Sequence, residues 1–230
     1  MPQYLADISG ENFTLCQDEA RHLKVARSRI GDDIKIFDGK GKKFSARITA
    51  LTDKSASGII NAEIFSPAPE REIHLYFSAI SRPATEDLLD KCTQAGAYAF
   101  HPVISARSDA DLLKKWDSKL PRWQSILLAA CKQCEMPRIP FVYPPVDLKT
   151  AMKAAMPAIV CYEGERTKSI IDALSKIPNG AVAIFIGPEG GYSDEEAKTF
   201  SAAKIIPVSL GINILRAETA ALAACWAAMQ

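Results

Sequence analysis

Two glycine-bearing loops hold the residues best suited to chemistry. The first is Gly187-Pro188-Glu189-Gly190-Gly191-Tyr192-Ser193-Asp194-Glu195-Glu196. Adjacent Gly190 and Gly191 let a backbone come close to a ligand, because no side chain stands between them. The second is Gly211-Ile212-Asn213-Ile214-Leu215-Arg216-Ala217-Glu218-Thr219-Ala220. A tight strand-to-helix turn uses the same glycines, so either loop alone leaves a purely structural role open. Other reactive residues are less organised. Cys131-Lys132-Gln133-Cys134 has the C-x-x-C spacing of a redox or zinc site, but no second pair or nearby histidine completes it. These cysteines read as structural. His22, His74 and His101 are dispersed, and no catalytic role is assigned to them.

The elements that must position these loops are legible. Ala181 to Ile186 is an apolar run of strand length. Ser193 can cap the helix that follows, with Glu196 completing a capping box. Lys204 to Leu210 reads as a second strand, and Glu218 to Met229 as a closing helix, apolar nearly all round. Upstream, strands at 73–80, 98–104 and 158–162 alternate with helices at 85–94, 118–134 and 169–177. Such alternation implies a mostly parallel sheet with helices on its faces. Before it, Ser66-Pro67-Ala68-Pro69-Glu70 has the composition of a stiff linker. The residues before the linker are mostly β: strands at 34–37, 44–48 and 58–65 follow a short helix from Asp18 to about Arg27. Short strands in so small a stretch suggest a small barrel.

Composition narrows the partners. The 230 residues carry 28 Lys and Arg against 27 Asp and Glu, a net charge of +1, so nucleic-acid affinity must come from a local patch. Between Arg21 and Arg47 nine basic residues face only Asp32, Asp33 and Asp38. This excess suits contact with phosphates, and a merely solvated face is the alternative. No stretch is apolar enough to span a membrane, and Met1-Pro2-Gln3-Tyr4 is not a signal-peptide start. Six scattered cysteines fit reduced thiols and a cytoplasmic location.

Together the two loops resemble the paired signatures of the SPOUT methyltransferases. The nearest pattern is that of the RsmE family, which methylates N3 of a uridine in small-subunit (16S) ribosomal RNA. The first loop fits I-G-P-E-G-G-[FL]-S-x-x-E, with Tyr192 in the aromatic slot. The second fits L-G-x-R-I-L-R-x-E-T-A at Leu210, Gly211, Ile214, Leu215, Arg216, Glu218, Thr219 and Ala220. It departs at Ile212, Asn213 and Ala217, where proline, arginine and threonine are usual.

The resemblance implies an α/β protein: a PUA-like small β-barrel over residues 1–69, then a SPOUT α/β domain over 70–230 with a C-terminal trefoil knot. It implies S-adenosylmethionine as cofactor, held by loops after Tyr162, Ile186 and Leu210. The residues it points to are Glu163, Ile186, Gly187, Glu189, Gly190, Leu210, Gly211, Ile212, Leu215 and Thr219. Arg216 is the catalytic candidate, because a guanidinium suits the anion left when uridine N3 loses its proton. Arg21, Lys24, Arg27, Lys42, Lys43 and Arg138 are the candidates for RNA contact. The implied partners are small-subunit ribosomal RNA, in an assembled or assembling subunit, and a second copy of the chain; no metal or membrane is implied. A non-catalytic RNA-binding factor on the same fold, or an enzyme for another base, stays open.

Overall fold

The computed structural model describes residues 3–108, 115–153 and 156–230. The chain divides into two compact units, Met1–Ala68 with Leu128–Ile139, and Pro69–Leu127 with Pro140–Gln230.

The first unit is a curled six-stranded sheet carrying one helix. Its elements are β1 (Gln3–Leu5), β2 (Asp7–Ser9), β3 (Asn12–Leu15), α1 (Gln17–Val25), β4 (Asp33–Phe37), β5 (Lys43–Leu51) and β6 (Ala56–Ile64), ordered β1-β4-β5-β6-β3-β2. Alternation along β5 works as expected: Phe44, Ala46 and Ile48 are buried, joining Phe13, Leu15, Leu23 and Ile36 in the core. The first three strands escape sequence reading because three or four residues are too few to establish a period of two. A single cut at 69/70 also leaves residues 128–139 with the wrong unit. Gln3 Nε2 donates to the carbonyls of Cys131 (3.0 Å) and Met136 (2.9 Å), and Lys132 Nζ reaches both oxygens of buried Glu19 at 2.8 Å. These bonds join residues more than 100 positions apart, which composition cannot register.

In the second unit every strand pairing is parallel. The elements are β7 (Arg71–Ser78), α2 (Arg82–Gln94), β8 (Ala97–Ile104), α3 (Trp116–Cys134, leaving this unit after Leu127), β9 (Phe141–Val142), β10 (Val146–Asp147), α4 (Leu148–Ala151), β11 (Ala158–Cys161), α5 (Ile170–Leu174), β12 (Gly180–Ile186), α6 (Asp194–Ala202), β13 (Ile206–Val208) and α7 (Ala217–Ala228). The order is β10-β8-β7-β12-β11-β13, with β9 also on β8. Val182 through Ile186 are all buried, as a central parallel strand covered on both faces requires. Ser193 and Glu196 form the expected capping box, at 3.2 and 2.8 Å. Within this chain the closing helix buries one face, Ala217, Ala221, Ala224, Cys225 and Ala228, while Trp226 on another side stays 62% exposed.

Candidate active site

Four neighbouring strands, β7, β12, β11 and β13, end on the same side of the sheet, and the loops that leave them line one cavity of about 890 Å³. Parallel α/β sheets bind ligands outside the carboxyl ends of their strands. The volume lies within the ~300–1,000 Å³ usual for cofactor sites. Both glycine loops meet here, although β12 and β13 lie on either side of β11.

Hydrogen bonds across the strand ends hold the loops together. Tyr162 N donates to Val208 O at 3.1 Å, Ser209 N to Lys168 O at 2.7 Å, and Ile170 N to Ser209 O at 3.1 Å. Glu165 anchors the loop after β11, accepting from Thr167 N, Thr167 Oγ1 and Lys168 N at 2.7, 2.7 and 3.1 Å. Those bonds, the Thr167 backbone first, hold its carboxyl down to about 2, so it stays ionised and engaged. On the other side, Arg107 Nη1 donates to Gly190 O at 2.9 Å, and Ala106 N donates to the capping residue Glu196 at 2.8 Å.

Protein packing explains two of these glycines. Gly191 has φ +67°, and a Cβ there would lie 2.0 Å from Glu163 Oε1. Its missing side chain makes room for Glu163. A Cβ on Gly187 would come within 3.1 Å of the buried Tyr192 ring. At Gly190, expected to be a point of close approach, a Cβ would meet only Arg107, at an ordinary 3.6 Å. Close packing within the protein therefore accounts for Gly187 and Gly191, and it shapes the cavity wall.

Of the candidate residues, Glu163, Ile186, Gly187, Glu189, Gly190, Leu210, Gly211, Leu215 and Arg216 line the cavity. Ile212 and Thr219 do not: Ile212 is 91% exposed, and Thr219 is exposed on α7. Arg216 is the N-cap residue of α7, and its guanidinium has no ion pair or hydrogen bond among the described residues. The bridge to Glu218 that would make it structural is not formed. Cys161 also lines the cavity; burial pushes its thiol up to about 12, so it is no nucleophile at neutral pH. Sequence reading missed the start of α2 (Ser81, Pro83, Ala84 and Asp87) and Arg166. Ser81 at the N-cap and Pro83 in the first turn were the available signals for that helix start.

In the first unit, most of the basic cluster is paired. Arg21 meets Asp18 at 3.5 Å, Lys24 bonds Asp53, Lys42 meets Glu63 at 3.8 Å and Arg47 bonds Asp33 at 3.0 Å. Lys35 and Lys43 share Glu135, and Lys43 keeps only 12% of its side chain exposed. Four of these acids, Asp18, Asp53, Glu63 and Glu135, lie outside the Arg21–Arg47 window, so the sequence count overstated the local excess. Arg138 sits beside the Gly39–Gly41 turn, where its guanidinium would be 3.2 Å from a Cβ on Gly41. Arg27 is exposed, in the left-handed region at φ 61°, between exposed Val25 and Ile30. On the α3 segment of this unit, burial pushes the Cys131 thiol up to about 12.

Comparison with known proteins gives this arrangement its context. Residues 67–229 match an RNA methyltransferase domain family, and residues 15–61 match the RNA methyltransferase PUA domain. Ribosomal RNA small subunit methyltransferase E of Synechocystis is 31% identical over 90% of this chain and 69% of its own length. The Bacillus subtilis protein of that name is 30% identical over 91% and 86%. The crystal structure of the Neisseria gonorrhoeae enzyme, bound to S-adenosyl methionine, superposes with a TM-score of 0.83 at 31% identity, covering 98% of this chain and 95% of that one. Loops, sheet order and both domains thus agree in assigning the chain to the ribosomal RNA small subunit methyltransferase E family.

Proposed function

We propose that this protein uses S-adenosylmethionine to methylate N3 of a uridine in small-subunit ribosomal RNA. The observation that carries the reading is one cavity at four strand ends, which both motif loops line together with Arg216, whose guanidinium has no partner among the described residues. The cavity fits the cofactor chemically. Ile186, Leu210 and Leu215 offer apolar contact to an adenine, and Glu163, which lies against Gly191, is the acceptor for a ribose hydroxyl in this reading. Glu189 supplies negative charge for an amino acid ammonium. When bound, the cofactor supplies an activated methyl group on a sulfonium.

The protein's own task is alignment and charge. Uridine N3 carries a proton at neutral pH, and its loss spreads negative charge onto two carbonyl oxygens. Arg216 can address N3 and a carbonyl together through its planar fork. Asn213, also lining the cavity, donates hydrogen bonds but adds no charge. Base pairing hides N3, so the target must be unpaired or flipped into the cavity. The first unit then serves as the RNA-docking module, with Arg27, Arg29 and Lys40 the basic residues of its cluster that have no ion pair among the described residues, beside exposed Val25 and Ile30. A ribosomal RNA substrate supports a cytoplasmic reaction.

Two structural readings belong to the same proposal. Ile212, Ile214, Trp226 and Met229 are 91%, 73%, 62% and 41% exposed on the second motif loop and the closing helix. Apolar exposure on the second motif loop and along the closing helix supports a homodimer in which a second copy covers these residues. The bonds that tie Ser209 to Lys168 and Ile170 support a C-terminal segment threaded as a trefoil knot. Nucleoside mass spectrometry of ribosomal RNA from a deletion strain tests the reaction. Loss of 3-methyluridine that returns on complementation is expected. An unchanged nucleoside profile, with no cofactor binding by calorimetry, would leave a non-catalytic RNA-binding factor.

A further inference from the structure

Most arginines around the cavity are engaged. Arg82 and Arg122 both hold Glu86, at 3.0 and 2.9 Å, and Arg107 holds Gly190 O. Arg166 and Arg216 line the cavity, and neither guanidinium has an ion pair or hydrogen bond among the described residues. Adjacent Glu165 forms no ion pair with Arg166; its Oε1 accepts from three donors of its own turn. The same turn is bonded through Lys168 O to Ser209, so the loops carrying the two arginines are fastened together.

Arg166 and Arg216 are both exposed, on different loops above a buried cavity floor where Ile186 is 2% exposed. When a base enters a cavity, the phosphates flanking it stay at the mouth. A guanidinium fork matches two phosphate oxygens. We propose that Arg166 binds a backbone phosphate of the RNA beside the target nucleotide, while Arg216 addresses the base. This rests on the methyltransferase reading above and adds a substrate-binding residue to it.

The test compares Arg166→Gln and Arg166→Lys with the parent. Anisotropy of labelled small-subunit ribosomal RNA is followed across a salt series without cofactor, and calorimetry measures S-adenosylmethionine binding. One lost phosphate contact removes about 0.7–0.9 from the slope of log affinity against log salt, which is about four- to fivefold in affinity at 0.15 M. The glutamine variant should show both changes and bind cofactor like the parent. The lysine variant should keep most of the slope, because it keeps the charge. An unchanged slope in the glutamine variant would overturn the proposal. So would weakened cofactor binding with RNA affinity intact, which would assign Arg166 to the cofactor carboxylate. A parent that binds RNA but methylates nothing would refute the proposed reaction, while the salt slope still reports on Arg166.

Discussion

Gly191→Ala offers the sharpest test of how the cavity wall is built. The residue sits at φ +67°, so an alanine there meets the left-handed penalty of ~1–2 kcal/mol. For a chain of this size that lowers Tm by roughly 2–8 °C. The second consequence is local. The new Cβ would lie 2.0 Å from Glu163 Oε1, and the flexible carboxylate must swing away. If Glu163 accepts from the cofactor ribose, its displacement removes one charge-assisted hydrogen bond, worth ~1.5–3 kcal/mol. Cofactor affinity should then fall roughly ten- to a hundredfold. Gly10→Ala is the control, since Gly10 lies in the first unit at φ +58° with nothing within 4 Å of a Cβ; it should lower Tm similarly while cofactor affinity stays within about twofold of the parent. Calorimetry with S-adenosylmethionine on Gly191→Ala, Glu163→Ala and the double variant isolates the cause. Because the glycine acts through Glu163, the two losses should not add. Parent-like affinity in Gly191→Ala, or fully additive losses, would refute the reasoning.

Three further outcomes follow from the same structure. Arg216→Lys should lower kcat roughly ten- to a thousandfold in single-turnover methylation of small-subunit particles, with cofactor affinity kept; a parent rate would make Arg216 structural. Burial, reinforced by neighbouring His74 at 3.0 Å, holds His101 down to about 3 from 6.5, so between those values the unfolded chain binds the extra proton and stability falls as pH falls. Urea midpoints measured from pH 7 to 4 should decline less steeply in His101→Phe, which keeps a ring in the stack with Tyr76 and Tyr143, and an equal slope would remove the histidine from the account. Lys132→Met strands Glu19, whose side chain is only 4% exposed, and should cost the first unit ~3–5 kcal/mol in urea denaturation; combining it with Glu19→Gln should recover most of the loss.

Charge illustrates why a window along the chain misleads. The stretch from Arg21 to Arg47 looks strongly basic, yet Asp18, Asp53, Glu63 and Glu135 come from outside it to pair with Arg21, Lys24, Lys42, Lys35 and Lys43. Net local charge is a property of the folded surface. The residues left to meet phosphate there are few, and Arg27 owes its prominence to a left-handed backbone turn that carries no sequence signature.

Much was legible in the sequence because the signals are local. The capping box of Ser193 and Glu196, the apolar run of β12 and the alternation of β5 each follow from a few contiguous residues. Two spaced motifs sufficed to indicate the family and its cofactor, and nine of the eleven residues they marked line one cavity. Tertiary structure decided the rest. It turned Ile212 outward, brought Arg166 and the start of α2 to the cavity, and returned residues 128–139 to the first unit. It also gave the glycines their partners, Glu163 for Gly191 and Tyr192 for Gly187. The reason is physical. Propensity and periodicity act over a few residues, whereas a cavity wall depends on which strand ends the sheet order places side by side, and β13 pairs with β11 across more than forty intervening residues.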